Sequence, residues 1–226
     1  LHNSKLTAIS DTCFGECHKL QTIQLPGTVD SIGVRAFTSC HNLRAVNLPS
    51  GLKNLGGHAF SDCKNLESID LRNSKLTTIP EYCFSRCHEL QTVILPKTIN
   101  TIRTGAFSHC KKLKEINLPT KLKDLRGSVF SNCKELESID LRNTKLTDVY
   151  YSCFSNCTAL QEVFLPKTIK CIYQGAFYGC SNLSSISIGE DLKSKPVVLK
   201  GIGSISEGIS FPKNLKSERD AFFGCS

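Results

Sequence analysis

The chain has 226 residues, 40% of them hydrophobic and 21% charged, with a net charge of +8. That balance excludes a disordered chain, and no apolar run approaches the roughly 18 residues of a membrane-spanning helix. The 13 cysteines are an odd count, which a framework of paired disulfides does not by itself account for.

The opening stretch, "LHNSKLTAIS", has no basic end, apolar stretch or cleavage site, so it is not expected to act as a signal peptide. With no methionine anywhere, the chain is expected to be a segment of something longer or a processed product. Next comes "CFGEC" at 13–17, followed by His18; "CFSRC" at 83–87 is followed by His88, and "CFSNC" stands at 153–157. Alone, each looks like a metal site or redox pair. Together they belong to a repeat.

Phe recurs at positions 14, 37, 60, 84, 107, 130, 154 and 177, a nearly constant interval. Three places after each Phe stands a cysteine: Cys17, Cys40, Cys63, Cys87, Cys110, Cys133, Cys157 and Cys180. Three further on is a leucine, from Leu20 to Leu183, then Ile or Val, then Leu or Ile. Each unit therefore holds a short strand of the form L-x-x-I-x-L, alternating inward and outward residues. A proline such as Pro96 ends most strands, because it has no N–H for a ladder. A return arm such as "IRTGAFSHCKKL" follows, with a helical turn at best. Every third unit carries one extra residue, and "LESIDLRNSKLTTI" at 66–79 returns at 136–149 as "LESIDLRNTKLTDV". This self-similarity suggests duplication of a three-unit block. The long units carry Arg72 or Arg142 where the others have proline.

One unit cannot bury its own apolar side, but stacked units bury one another's. Parallel stacking at about 4.8 Å per unit predicts a slightly curved rod about 40 Å long. Eight regular units fill 1–188, 189–208 reads as a degenerate unit, and 209–226 reads as a final partial repeat. Both ends suggest a longer array.

The unit A-F-x-x-C-x-x-L-x-x-I-x-L-P-x-x-L-x-x-I resembles the leucine-rich repeats of the BspA-like (Treponema pallidum) type over some four fifths of the chain. The resemblance implies an α/β solenoid with short parallel strands on the concave face and irregular or short helical-turn return arms. It also implies a surface protein of bacteria or protists that adheres to matrix proteins such as fibronectin and fibrinogen. It supplies no catalytic residue.

Column by column, the tempting residues become packing. A row of one cysteine per unit cannot converge on one metal, which needs about four donors, and free cysteine behaves as a small buried hydrophobe. Cys13, Cys83 and Cys153 align with Ala36, Ala59, Ala106, Val129 and Ala176, and are expected in the core. Cys171 falls in a polar column and is expected to be an exposed thiol. His18, His41, His88 and His109 are expected at the surface. No metal, cofactor or catalytic residue is expected, and the chain reads as non-enzymatic. Lysines lie in singles and pairs with few aromatics between, so a solvated basic surface is expected rather than nucleic-acid binding.

The informative positions face outward from the strands. Asp70, Arg72, Ile94, Asn117, Asp140, Arg142 and Phe164 are the candidate ligand-binding residues of the concave face. Ile94 and Phe164 hold matching places in the duplicated block and stand where other units are polar. Exposed, they could anchor a partner; alternatively, neighbouring side chains cover them. The expected function is surface adhesion or recognition of a protein or glycan, secreted or at the cell surface. The alternative is an intracellular structural scaffold, since a row of thiols suits a reducing compartment. Asn156 ("NCT") and Asn182 ("NLS") fit the glycosylation sequon.

Overall fold

The computed structural model describes residues 5–189, together with the backbone strands Val197–Val198 and Lys216–Ser217. The chain winds into a parallel β-solenoid of about eight coils, each contributing up to two strands. One row holds the longer strands: β2 (Thr22–Gln24), β4 (Ala45–Asn47), β6 (Ser68–Asp70), β8 (Thr92–Ile94), β11 (Ser138–Asp140), β13 (Glu162–Leu165) and β15 (Ser185–Ile188). The other holds two-residue strands: β1 (Ala8–Ile9), β3 (Ser31–Ile32), β5 (Asn54–Leu55), β7 (Thr78–Ile79), β9 (Thr101–Ile102), β10 (Asp124–Leu125), β12 (Asp148–Val149) and β14 (Cys171–Ile172).

Alternation fixes the register. In β6, Ile69 is buried while Ser68 and Asp70 face outward, and β6 pairs with β8 so that Ile69 lies beside Val93. A one-residue slip would drive Asp70 into the core. After the long strand the proline carbonyl closes a turn: Pro96 accepts from Ile99 N–H at 3.2 Å and Pro119 from Leu122 N–H at 2.9 Å. The short row breaks between β5 and β7 and between β10 and β12. Those breaks fall where the long coils insert their extra residue, which disrupts a ladder locally as a bulge does. In the coil between β8 and β11, residues 114–118 form no strand. Val197–Val198 (β16) pairs antiparallel with β15, and Lys216–Ser217 (β17) pairs parallel with β14. Apart from these two short strands, the expectations for 190–226 lie outside the described residues.

The return arms correct the expectation of a helical turn: there is no helix among the described residues. The arm spends every other N–H on the next coil. Thr12, Phe14 and Glu16 donate to the carbonyls of Val34, Ala36 and Thr38 at 2.8–2.9 Å, while Cys13, Gly15 and Cys17 close turns on their own coil. A helix would need all of these donors internally. The turns place two positions per arm at positive φ, as type II turns require. These are Arg35 (55°) and Ser39 (57°), then His58 (57°) and Asp62 (61°), and so on along the rod. Gly105, Gly175 and Gly179 take three of the places, where glycine adopts this conformation without strain. The arms thus make a third hydrogen-bonded ladder between coils.

Inside, eight phenylalanine rings from Phe14 to Phe177 stack in one column, with centroids 5.1–5.8 Å apart and planes within 14° of parallel. All from Phe37 onward are fully buried. Each such ring contributes about 1.5–3 kcal/mol of burial, plus stacking with two neighbours.

Candidate functional site

The outward face of the long-strand row brings together most of the candidate residues. Register places Asp70 beside Ile94, and Asp140 beside Phe164. Asp70 accepts from the Arg72 backbone N–H at 3.0 Å and from its Nε at 2.9 Å. Asp140 accepts from the Arg142 N–H at 3.0 Å and from its Nη2 at 2.7 Å. Arginine in place of the usual proline supplies the backbone N–H for this pairing, and the hydrogen bonds from each arginine hold its aspartate below the usual carboxylate range. The same unit, an Asp–Arg pair beside an apolar side chain, is therefore built twice.

Ile94 and Phe164 are half-buried rather than open. The Arg142 guanidinium lies over the Phe164 ring at 4.7 Å, so a neighbouring side chain covers part of it. Asn117 is exposed but sits in the coil that lacks the long strand, so no ladder joins it to Ile94 or Asp140. A shallow depression lined by Val46, Asn47, Pro49, Asp70 and Asn73 adjoins the first Asp–Arg unit.

The cysteine row has a role that residue spacing did not reveal. From Cys40 onward, each thiol donates to the phenylalanine carbonyl one coil back: Cys40 to Phe14 at 3.0 Å, Cys87 to Phe60 at 3.2 Å, Cys180 to Phe154 at 3.0 Å. The position needs a side chain that is both small and a donor. Burial pushes the thiols up, Cys40 to about 11 and Cys153 to about 12, with Cys63, Cys83, Cys87, Cys110, Cys133 and Cys157 also raised. Such thiols are poor nucleophiles and poor ligands. No disulfide joins the twelve cysteines among the described residues, and no three His, Cys, Asp or Glu there group as a metal site.

Two cysteine expectations are corrected. Cys83 and Cys153 are buried, but Cys13 is exposed, because it lies in the first described arm with no described arm before it. Cys171, at the start of β14, is half-buried rather than exposed, since its strand lies between β12 and β17. Of the histidines, His18 is exposed, while His41, His88 and His109 are half-buried. His41 stacks on His18 at 4.8 Å and reaches Asp62 at 2.9 Å. An aromatic group that sequence reading passed over also forms: Tyr150 stacks on Tyr173 at 5.3 Å, beneath Arg126.

The profile of the BspA type leucine rich repeat region, in six copies, matches overlapping spans of 7–137, 77–196 and 106–226. The chain belongs to the BspA-type leucine-rich repeat family. Among solved structures, the leucine-rich repeat protein of T. pallidum is 25% identical with a TM-score of 0.54, over 80% of this chain and 77% of that one. The pneumococcal vaccine antigen PcpA has a TM-score of 0.50 at 19% identity, over 95% of this chain and 66% of its own, a likeness of fold alone. No match is found among curated proteins. As a BspA-type repeat, the chain has the architecture of a protein-binding module, and among the described residues no helix is long and apolar enough to cross a membrane.

Proposed function

We propose that this chain is a non-enzymatic adhesion or recognition module, displayed at a cell surface, that holds a protein or glycan through the outward face of its long-strand row. The observation that carries the reading is the duplicated unit of Asp70, Arg72 and Ile94 and of Asp140, Arg142 and Phe164. Three coils separate the copies, about 14 Å at one strand spacing per coil. Each offers a half-buried apolar group rimmed by fixed charges, the composition of an interface anchor. The direct test is binding of the chain to immobilised fibronectin and fibrinogen, which the BspA-like resemblance suggests as probes. Ile94→Asp with Phe164→Asp should abolish binding while leaving the circular dichroism spectrum intact; undiminished binding by the folded double variant refutes the surface assignment.

A second reading, an intracellular scaffold, is favoured by the free thiol row. Thiol titration of protein from its native source separates the two. Native disulfides, or a glycan on the exposed Asn182, count against the scaffold.

A further inference from the structure

Cations that look scattered in the sequence converge when the coils stack. Arg86, Lys111 and Lys134 stand on three successive coils, at the corner where the return arm leads toward the long strand. All three are exposed, and no ion pair engages them among the described residues. Between them lie His88 and His109. Of the neighbouring carboxylates, Glu89 is held by Lys112 at 2.6 Å and Asp62 by His41 and Lys64, while Glu135, next to Lys134 in the chain, also acts on Lys112. The histidines register the field. His88 is lowered by burial and then by Lys111, with Lys64 and His109 adding and Asp62 opposing; His109 is lowered by burial, then by Arg86, Lys111 and Lys134.

We propose that this strip is a second binding surface, separate from the long-strand face, and that it takes a sulfated polysaccharide. The strip is linear, with positive groups repeating at about 4.8 Å per coil, which matches a chain bearing anions at short intervals. It is preorganised, because the arms that carry it are pinned to the next coil by Arg86 N–H to Ser108 O at 2.8 Å and His109 N–H to Ser131 O at 2.7 Å, so little order is lost on binding. Its own columns carry no Phe, Tyr or Trp ring on which bases would stack, as single-stranded nucleic acid requires. No helix or protruding ribbon stands there to enter a duplex groove. Of the exposed large apolar side chains among the described residues, only Tyr82 shares an arm with one of the cations, too little apolar surface for a membrane-surface site.

The test uses the whole chain and a heparin oligosaccharide, titrated by calorimetry at low and raised salt. Binding should weaken with salt as counterion release dictates. Lys111→Glu with Lys134→Glu, neither at a positive-φ position, should weaken it roughly tenfold or more. Lys167→Glu with Lys170→Glu makes the same change in net charge elsewhere and should leave it within about twofold. In the unaltered protein, heparin should raise the His88 and His109 titration midpoints seen by NMR. The proposal is overturned if heparin does not bind, if both variants lose affinity equally, if the histidine midpoints stay fixed, or if an equally long single-stranded DNA or poly-glutamate binds as tightly.

Discussion

Replacing Cys110 by alanine asks whether the thiol row is packing alone or packing plus a hydrogen bond. Cys110 is fully buried between coils, and its Sγ donates to the Phe84 carbonyl at 3.2 Å. Deleting the sulfur removes a group a little larger than a methylene, about 1 kcal/mol of transfer free energy with a cavity cost beside it. The lost hydrogen bond adds about 0.5 kcal/mol, because a thiol is a weak donor and the carbonyl keeps the Cys87 N–H at 3.4 Å. The sum is about 2 kcal/mol, a fall of about 4–8 °C in Tm for a chain of this size. Cys17→Ala, at a half-buried position in the first described coil, should cost under about 0.5 kcal/mol. Cys110→Ser is the discriminating variant. A hydroxyl keeps the donor but loses apolar volume, so serine should be less damaging than alanine only if the carbonyl demands a donor. Urea denaturation under reducing conditions reads all three. A Cys110→Ala chain within about 0.5 kcal/mol of the parent would refute the packing account, and serine worse than alanine would refute the hydrogen-bond account.

Phe107→Ala removes a ring stacked between Phe84 at 5.6 Å and Phe130 at 5.8 Å, and should cost about 3–5 kcal/mol in urea midpoint measurements. In the native state Cys13 should react with a thiol reagent ahead of every buried cysteine, whose thiolates are suppressed; equal rates would show that the coils open readily. His88 and His109 have native titration points below their unfolded value near 6.5. The unfolded chain therefore takes up protons first, and stability should fall as pH drops from just above 6.5 through the native values, an effect that His88→Gln with His109→Gln should flatten. Asp70 and Asp140 work at the other end: each contributes stability above about pH 4 that is lost as pH falls through its lowered native value. Asp70→Asn should change stability by under about 1 kcal/mol, since the pair is exposed.

The long strands were legible because their information is local. Ile69 and Val93 point inward on a period of two, and Phe with Cys three places later marks every coil. The return arms were not legible. What excludes a helix there is a bond to the next coil, such as Phe14 N–H to Ala36 O, which no window of one coil contains. In the arms, the positive-φ sites are occupied mostly by Arg, Ser, His, Asp and Asn, with glycine at Gly105, Gly175 and Gly179 to signal the conformation. Phe164 stood out as apolar in a polar column, but the Arg142 above its ring comes from the neighbouring coil and meets it only through stacking. The basic strip was hidden for a simpler reason: Arg86, Lys111 and Lys134 are far apart in sequence, one to a coil, and meet only through stacking.

The ladder that joins the return arms also determines how the rod would yield under tension. The arm ladder ties neighbouring coils even where the strand rows are interrupted, so force applied to the two ends concentrates on the outermost coil. That coil peels before the next one bears the strain. Every release would add one unit of slack, about 80 Å of extended chain for each coil. A tether built this way gives ground in equal steps and keeps its remaining coils folded.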